Sequence, residues 1–375
     1  GIPKNIDLDN LPLKLPEVDN FLPTKNGDSP LGNSKKWAWN ENIKKVDLNE
    51  NINNVDTFPL ELNTMPGWAG SSWYFYRYMD PANDKGFVSK DSQDYWSDVD
   101  VYFGGSEHAT GHLLYSRFYQ KFLYDFKFLN KIEYAKKLIN QGMILGNSAF
   151  IYRNPLTSEY FSSDLTSEIK LDKIRIDIKY VKGENEVDLE MLQNEDKDFN
   201  ESIFKTKNQK FLCVREQEKM SKSKFNVVNP DEICNQYGAD TLRMYEMFLG
   251  PIEQSKPWDT RGISGVHSFL KKFWNLFFNE DGIKLSDEEP SKKSLKTLHK
   301  TIKKVSEDIE RLSLNTCISS FMICINELSS INCNNKDILE KLLILISPFA
   351  PHFAEELWSQ IGNNKSIVNE KYPEY

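Results

Sequence analysis

The chain has 375 residues, enough for about two or three domains whose cores need no disulfide support. An apolar share of 39% and a charged share of 27% place it among soluble globular proteins, and 47 basic against 55 acidic side chains, a net charge of −8, exclude nucleic-acid binding through overall basicity but not through a local basic face. The five cysteines are odd in number and include no C-x-x-C pair, which argues against a disulfide framework and a cysteine zinc site and fits a reducing cytoplasm.

In chain order, the opening Gly1-Ile2-Pro3-Lys4-Asn5 reads as the middle of a loop, and Lys371 to Tyr375 ends without a helix end, so a piece of a longer protein is expected. Residues 1–60, rich in Pro, Asn, Asp and Lys, read as a linker region with short extended pieces such as Leu11 to Pro16. From Trp68 the aromatic density rises, and Ser71 to Tyr78 suits a helix opened by a serine cap. Val99 to Phe103 is a β-rich run ending at Gly104-Gly105. Leu114, Phe118, Phe122 and Phe126, spaced by four, predict a helix, and Lys137 to Leu145 is a second apolar run. Strand, glycine turn, helix and strand make a βαβ unit within residues 61–150, with ligands expected beyond the carboxyl ends of the strands, near Gly104 to Glu107 and Gln141-Gly142.

Residues 151–210 are charged, lack Trp and carry short runs such as Ile174 to Ile178, so they read as a small insertion. The chain returns to the α/β core over 211–262. Over 263–375 the pattern is helical. Leu298, Ile302, Val305, Ile309 and Leu312 step by 4, 3, 4, 3 along one face, Ile318, Met322, Ile325 and Leu328 do nearly the same, and helices over Asp337 to Ile346 and from His352 complete an antiparallel bundle. No apolar run reaches the roughly 18 residues of a membrane span.

Three segments carry chemistry. Lys219-Met220-Ser221-Lys222-Ser223-Lys224 packs three cations and two hydroxyls into six residues with no acid, a polyphosphate-binding surface; the bland alternative is a solvated charged loop. Gly104-Gly105-Ser106-Glu107-His108 with His112 combines a tight turn, a carboxylate able to accept ribose hydroxyls, and two histidines one helical turn apart. Packed histidines are the structural alternative, and a zinc pair is a further one, without the H-E-x-x-H order. Trp68-Ala69-Gly70-Ser71-Ser72-Trp73-Tyr74 is an aromatic stretch of the kind that more often builds core than pocket.

The lysine loop followed by Gly238-Ala239-Asp240-Thr241-Leu242-Arg243 resembles the signature loop and following helix of class I aminoacyl-tRNA synthetases. Ser71 to Tyr74 and Glu107 to Tyr115 are similar to leucyl-tRNA synthetases of the bacterial type, as is Ser347 to Trp358 to their helical bundle. The resemblance implies an α/β fold: part of a Rossmann-like parallel-sheet catalytic domain with a small leucine-specific insertion, then an all-α anticodon-binding bundle. It implies a leucine–tRNA ligase using ATP and Mg²⁺, with tRNA-Leu and leucine as partners, cytoplasmic, monomeric and without a membrane. In that reading Lys219 and Lys222 hold the departing phosphates, and Met220, Ser221, Ser223, Gly105, Glu107, Gln141 and Ile144 surround the nucleotide. Trp68, Ser71, Tyr74, His108 and His112 shape the leucine side, and no metal is bound by the protein. No pair of the five histidines has the family's H-x-G-H spacing, and the editing domain is missing, so these 375 residues alone are expected to be inactive. The rival is a non-catalytic tRNA-binding protein built from synthetase parts, with the basic stretch Lys292, Lys293, Lys296, Lys300, Lys303 and Lys304 meeting phosphates. A metal-dependent hydrolase using Glu107, His108 and His112 stands third.

Overall fold

The computed structural model of the protein describes residues 2–18, 20–63, 69–96, 98–165 and 170–375. The chain divides into two compact units, Gly1–Tyr102 with Glu107–Leu138, and Phe103–Ser106 with Ile139–Tyr375.

The first unit contains a three-stranded antiparallel sheet. Ala38–Asn40 is its centre, with Trp39 opposite Val46 of Lys45–Asp47 and Phe58 of Thr57–Pro59. Trp37 and Trp39 are buried, and their indole N–H groups donate to the Glu61 carbonyl at 2.9 Å and the Glu41 carboxylate at 2.7 Å. Within the stretch read as linker, residues 38–59 therefore form a small sheet, while the described residues before it carry only 3-10 turns. Three-residue strands are too short to show alternation, and two indoles supply most of the burial. The asparagines shape the turns: Asn53 Oδ1 accepts from the amides of Val55, Asp56 and Thr57.

Helices α1 (Tyr74–Met79), α2 (Lys90–Trp96) and α3 (His112–Asp125) complete this unit. Helix α1 starts after Trp73 and not at a serine cap; Ser71 and Ser72 lie in a preceding 3-10 turn, Gly70–Ser72. Val99 and Ala135 form a parallel bridge, and the Tyr102 amide donates to the Lys137 carbonyl at 2.8 Å, so the chain on either side of α3 runs parallel. The core joins Phe75, Tyr76, Tyr102, Leu113, Leu129 and Tyr134. Helix α3 buries Leu113, Ser116 and Gln120 instead of its apolar stripe; Leu114, Phe118, Phe122 and Phe126 are 47 to 65% exposed. Ser116 Oγ lies 3.0 Å from the Tyr134 hydroxyl, and Gln120 accepts from the Tyr76 hydroxyl at 2.8 Å. The inward face therefore satisfies tyrosine hydroxyls that burial would otherwise leave without partners.

In the second unit the apolar run after Lys137 is not one strand. Ile139 and Ile144 belong to different strands, with Gly142 between them. Ile144–Arg153 is the longest described strand. It pairs antiparallel with Val214–Lys219 and Asp172–Ile176, and parallel with Lys256–Pro257, which makes a mixed sheet. The inserted stretch, residues 151–210, packs around Tyr160, Ile176, Tyr180, Val187, Leu192 and Phe199, in a core shared with Ala149 and Ile151 of the long strand and with Phe211 and Cys213. It includes α4 (Leu189–Glu195), capped by Asp188 on the Met191 amide at 3.2 Å.

Helix α5 (Pro230–Tyr237) starts at an Asn229 cap with Pro at its first position, and Gly238, at φ +89°, joins it to α6 (Ala239–Phe248). The bundle follows as α7 (Ile263–Phe277), α8 (Lys292–Glu310), α9 (Leu314–Ser330), α10 (Lys336–Ile346) and α11 (Pro351–Gln360). Leu298, Ile302, Val305, Ile318, Ile325 and Leu328 have no exposed surface, as their spacing predicts. The same cluster reaches back to Ile144, Met220, Tyr245 and Trp258, so the lysine loop and the bundle share one core. No described helix is long and apolar enough to cross a membrane, and the five cysteines are unpaired.

Candidate functional site

The lysine loop begins where strand Val214–Lys219 leaves the sheet. Lys222–Lys224 form one 3-10 turn, closed by Phe225 in the left-handed region at φ 49°. Beneath it lies Asn226, which has no exposed surface. Its Oδ1 accepts from the Ser221 amide at 3.0 Å, and its Nδ2 donates to Ser148 Oγ at 3.0 Å and to the Lys219 carbonyl at 3.4 Å. Ser148 Oγ in turn donates to Glu218 at 2.6 Å. Glu218 also pairs with Arg175 and, at 3.2 Å, with Lys224. The Arg175 guanidinium, then Ser148 and Lys224, hold its carboxyl at about 2, well below the usual carboxylate range.

The three lysines therefore divide. Lys224 is occupied by Glu218, whereas Lys219 and Lys222 are exposed and form no ion pair among the described residues. Met220 is the apolar anchor of the loop: it packs against the large core, which explains a methionine among lysines. Gly146 of the neighbouring strand is required there, because a Cβ would stand 2.5 Å from the Asn226 carbonyl oxygen and 3.0 Å from Met220 Cγ.

At the start of that strand, Gly142 lies so close to Gln254 that a Cβ would meet its backbone carbon at 2.1 Å. The Gly142 amide donates to the Ile252 carbonyl at 2.8 Å. This contact fixes the exposed Gln141 and the half-buried Ile144, which packs against the core. Gly105, on the same unit, is buried.

In the first unit, Tyr74, Tyr102 and His112 form a chain. The two hydroxyls are 2.8 Å apart, and the Tyr102 hydroxyl is 2.6 Å from His112 Nε2. Burial, then electrostatic repulsion from the His108 ring nearby, disfavours the imidazolium of His112. A neutral His112 accepts from Tyr102, which leaves the Tyr102 oxygen to accept from Tyr74. Burial and the Tyr74 bond push the Tyr102 phenol upward. His108 and His112 do not share a helix face as expected: His108 ends a 3-10 turn, Gly111 breaks the backbone at φ −124° and ψ −96°, and α3 starts at His112. Their rings stand 6.4 Å apart and nearly perpendicular. Glu107 and His108 are exposed, and Ser71 sits half-buried in the turn before α1. Trp68 lies outside the described residues. No group of three His, Cys, Asp or Glu side chains among the described residues is arranged for a metal.

Sequence reading did not pick out Tyr102, Ser148, Glu218, Arg175 or Asn226. Only Asn226, a small polar residue just past the loop, carried a local hint.

Residues 291–375 match the family described as the anticodon-binding domain of tRNA ligase, and residues 199–259 match class I tRNA synthetases (I, L, M and V). The leucine–tRNA ligase of Flavobacterium psychrophilum is 57% identical over all of this chain and 39% of that protein. That of Bacteroides thetaiotaomicron is 53% identical over all of this chain and 40% of that protein. The chain thus spans about two fifths of the length of these curated relatives. Among solved structures it is similar to Agrobacterium radiobacter K84 agnB2 LeuRS in its ternary complex with tRNA and LeuAMS. The TM-score is 0.58 at 25% identity, over 86% of this chain and 35% of that one.

Proposed function

We propose, on the premise that the chain belongs to the leucine–tRNA ligase family as a stretch of about two fifths of its members' length, that it supplies the phosphate-handling loop and the RNA-facing bundle of such a ligase. In the reaction a leucine carboxylate oxygen attacks the α-phosphorus of ATP. The bond to the β-phosphate breaks, and its electron pair leaves with pyrophosphate. A ribose hydroxyl of the tRNA terminus then attacks the leucyl carbonyl and AMP departs.

The observation that carries this reading is the division of the lysine loop. Lys219 ends the strand and Lys222 opens the turn, both without acidic partners among the described residues, and the buried Asn226 holds the backbone between them through the Lys219 carbonyl and the Ser221 amide. Cations fixed before the reaction and aimed at developing charge stabilise a leaving group without reorganisation cost. Met220, Ser221 and Ser223 shape the rest of the loop for nucleotide, and Gln141, Ile144, Gly105 and Glu107 are assigned to adenine and ribose. Ser71, Tyr74, His108 and His112, together with Trp68, are assigned to leucine. Neutral His112 and the hydroxyl chain offer polar groups beside aromatic walls. Any Mg²⁺ would ride on the ATP phosphates, and the chain's own residues supply the positioning described here.

The bundle's outward lysines, Lys292, Lys293, Lys296, Lys300 and Lys303, are exposed along α8 and suit RNA phosphates. The same face would serve a non-catalytic RNA binder; the two uncommitted loop lysines favour the enzyme. The test is Lys222→Ala in the longer protein, where leucine-dependent ATP–pyrophosphate exchange should fall by about 100-fold or more. Unchanged exchange would sink the assignment, and wild-type exchange driven by another amino acid would correct the substrate.

A further inference from the structure

We propose that Asp240 is a positioning residue that fastens the helices behind the lysine loop to the first turn of α11, so that loop and bundle move as one body. Asp240 is the second residue of α6 and only 6% exposed. Both of its oxygens reach a helix more than a hundred residues further along the chain: Oδ2 accepts from the Phe353 amide at 2.6 Å, and Oδ1 is 2.9 Å from His352 Nδ1.

A helix leaves its first amides without intrahelical acceptors, and a residue just before it usually caps them. Helix α11 has Ala350 at that position, which has no group to offer. The cap therefore comes from outside, as a carboxylate whose negative charge also suits the positive end of the helix. One turn along α6, Arg243 Nη2 donates to the Pro348 carbonyl at 3.2 Å. Two side chains three residues apart thus grip the Pro348–Phe353 segment.

The grip extends to the loop. The Tyr237 carbonyl, at the end of α5, accepts from the Thr241 hydroxyl at 2.8 Å and lies 3.1 Å from His267 Nδ1 of α7. Met220 in the loop and Val228 at its exit pack against the core that α6, α7 and α11 share. A shift of α11 relative to α6 therefore has to disturb the surface on which Met220 rests.

Amide hydrogen exchange on the 375-residue protein tests the joint directly. Asp240→Ala should raise exchange by about tenfold in residues 350–355 and also in 219–226, with α8 as the unchanged control. Asp240→Asn keeps an acceptor for the Phe353 amide and should stay within about threefold of wild type. Arg243→Gln, an exposed change that folds readily, should raise exchange about threefold in both stretches. Loosening of α11 without the loop, or of neither, overturns the proposal.

The functional arm rests on the ligase reading and uses the longer protein. Asp240→Ala should lower kcat/KM for tRNA charging at least about tenfold while leucine-dependent pyrophosphate exchange falls by no more than about threefold. Equal falls overturn a coupling role. A wild-type protein without leucine-dependent exchange would strike the ligase reading, and the hydrogen-exchange pattern would still decide the joint.

Discussion

In α8, Leu298, Ile302 and Val305 lie on one face and have no exposed surface; in α3, Leu114, Phe118 and Phe122, with Phe126 just past the helix end, follow a regular spacing of four and point outward. Periodicity says which residues travel together around a helix, and it is silent on whether an apolar surface waits for them. For α8 the partner is next in the chain: α9 follows after a three-residue turn, Arg311–Ser313, and brings Ile318, Phe321 and Ile325. For α3 the neighbouring surface is rich in tyrosines, whose buried hydroxyls require partners. The face with Ser116 and Gln120 answers that need, and the phenylalanines turn away.

The sharpest test of the apolar side of this comparison is Phe273→Ala. Phe273 is fully buried in α7, with Phe277 and Phe353 rings at 5.7 and 5.6 Å. Its loss should cost about 3–5 kcal/mol in urea unfolding. A cost below about 1 kcal/mol would mean that the bundle core is not closely packed.

The polar side breaks if Gln120→Leu is tolerated. The substitution keeps volume but strands the Tyr76 hydroxyl and the Lys131 carbonyl, which Gln120 serves at 2.8 and 2.6 Å. Lys131 is exposed and its carbonyl can turn to water, so the buried Tyr76 hydroxyl carries the cost; a loss of about 1–3 kcal/mol is expected, and a neutral or stabilising result would show that the inward face could as well have been apolar.

Acid should separate the two regions. Burial and His108 lower the His112 pKa below its ordinary 6.5, so an unfolded chain takes up that proton first. The stability that neutral His112 contributes is complete above 6.5 and is lost as pH falls from there through the folded value. In the bundle, burial raises the Asp308 pKa, but the bonds from Lys304, Thr316 and Arg311 outweigh it and the net shift is downward from 3.8. That contribution is complete above 3.8 and is lost only as pH falls below it. Hydrogen exchange at pH 7.5 and 5.5, corrected for intrinsic rates, should show α1 and residues 99–102 loosening while α8 and α9 hold. Loosening of the bundle first would contradict the assignment.

The same contrast explains how much could be read in advance. The bundle was legible because each helix finds its partner next in sequence and the stripe needs only a period. The lysine loop was legible as a density of charge, but its floor was not. Ser148, Arg175 and Asn226 come from three distant segments and converge only when the sheet forms, and no local spacing marks them. The sheet over residues 38–59, inside a stretch that reads as linker, is not legible because it is held by two indoles and by asparagine turns rather than by alternation. Counting four residues puts the two histidines on one face, and Gly111 breaks the count.

The smallest expected effect bears on the outward stripe itself. Phe118 is 65% exposed, midway along α3, with its Tyr119 neighbour at 6.4 Å between ring centroids. In the 375-residue protein it has little burial to lose, and Ser has a helix propensity close to that of Phe, so Phe118→Ser should change unfolding free energy by no more than about 0.5 kcal/mol. The matched change in the bundle, Leu298→Ser, removes a fully buried side chain and inserts a hydroxyl among hydrocarbons, so it should cost at least about 3 kcal/mol. The two measurements together isolate burial from periodicity, since both residues sit in regular apolar stripes. If Phe118→Ser were as costly as Leu298→Ser, the stripe on α3 would be covered in solution, and the contrast between the two helices would collapse.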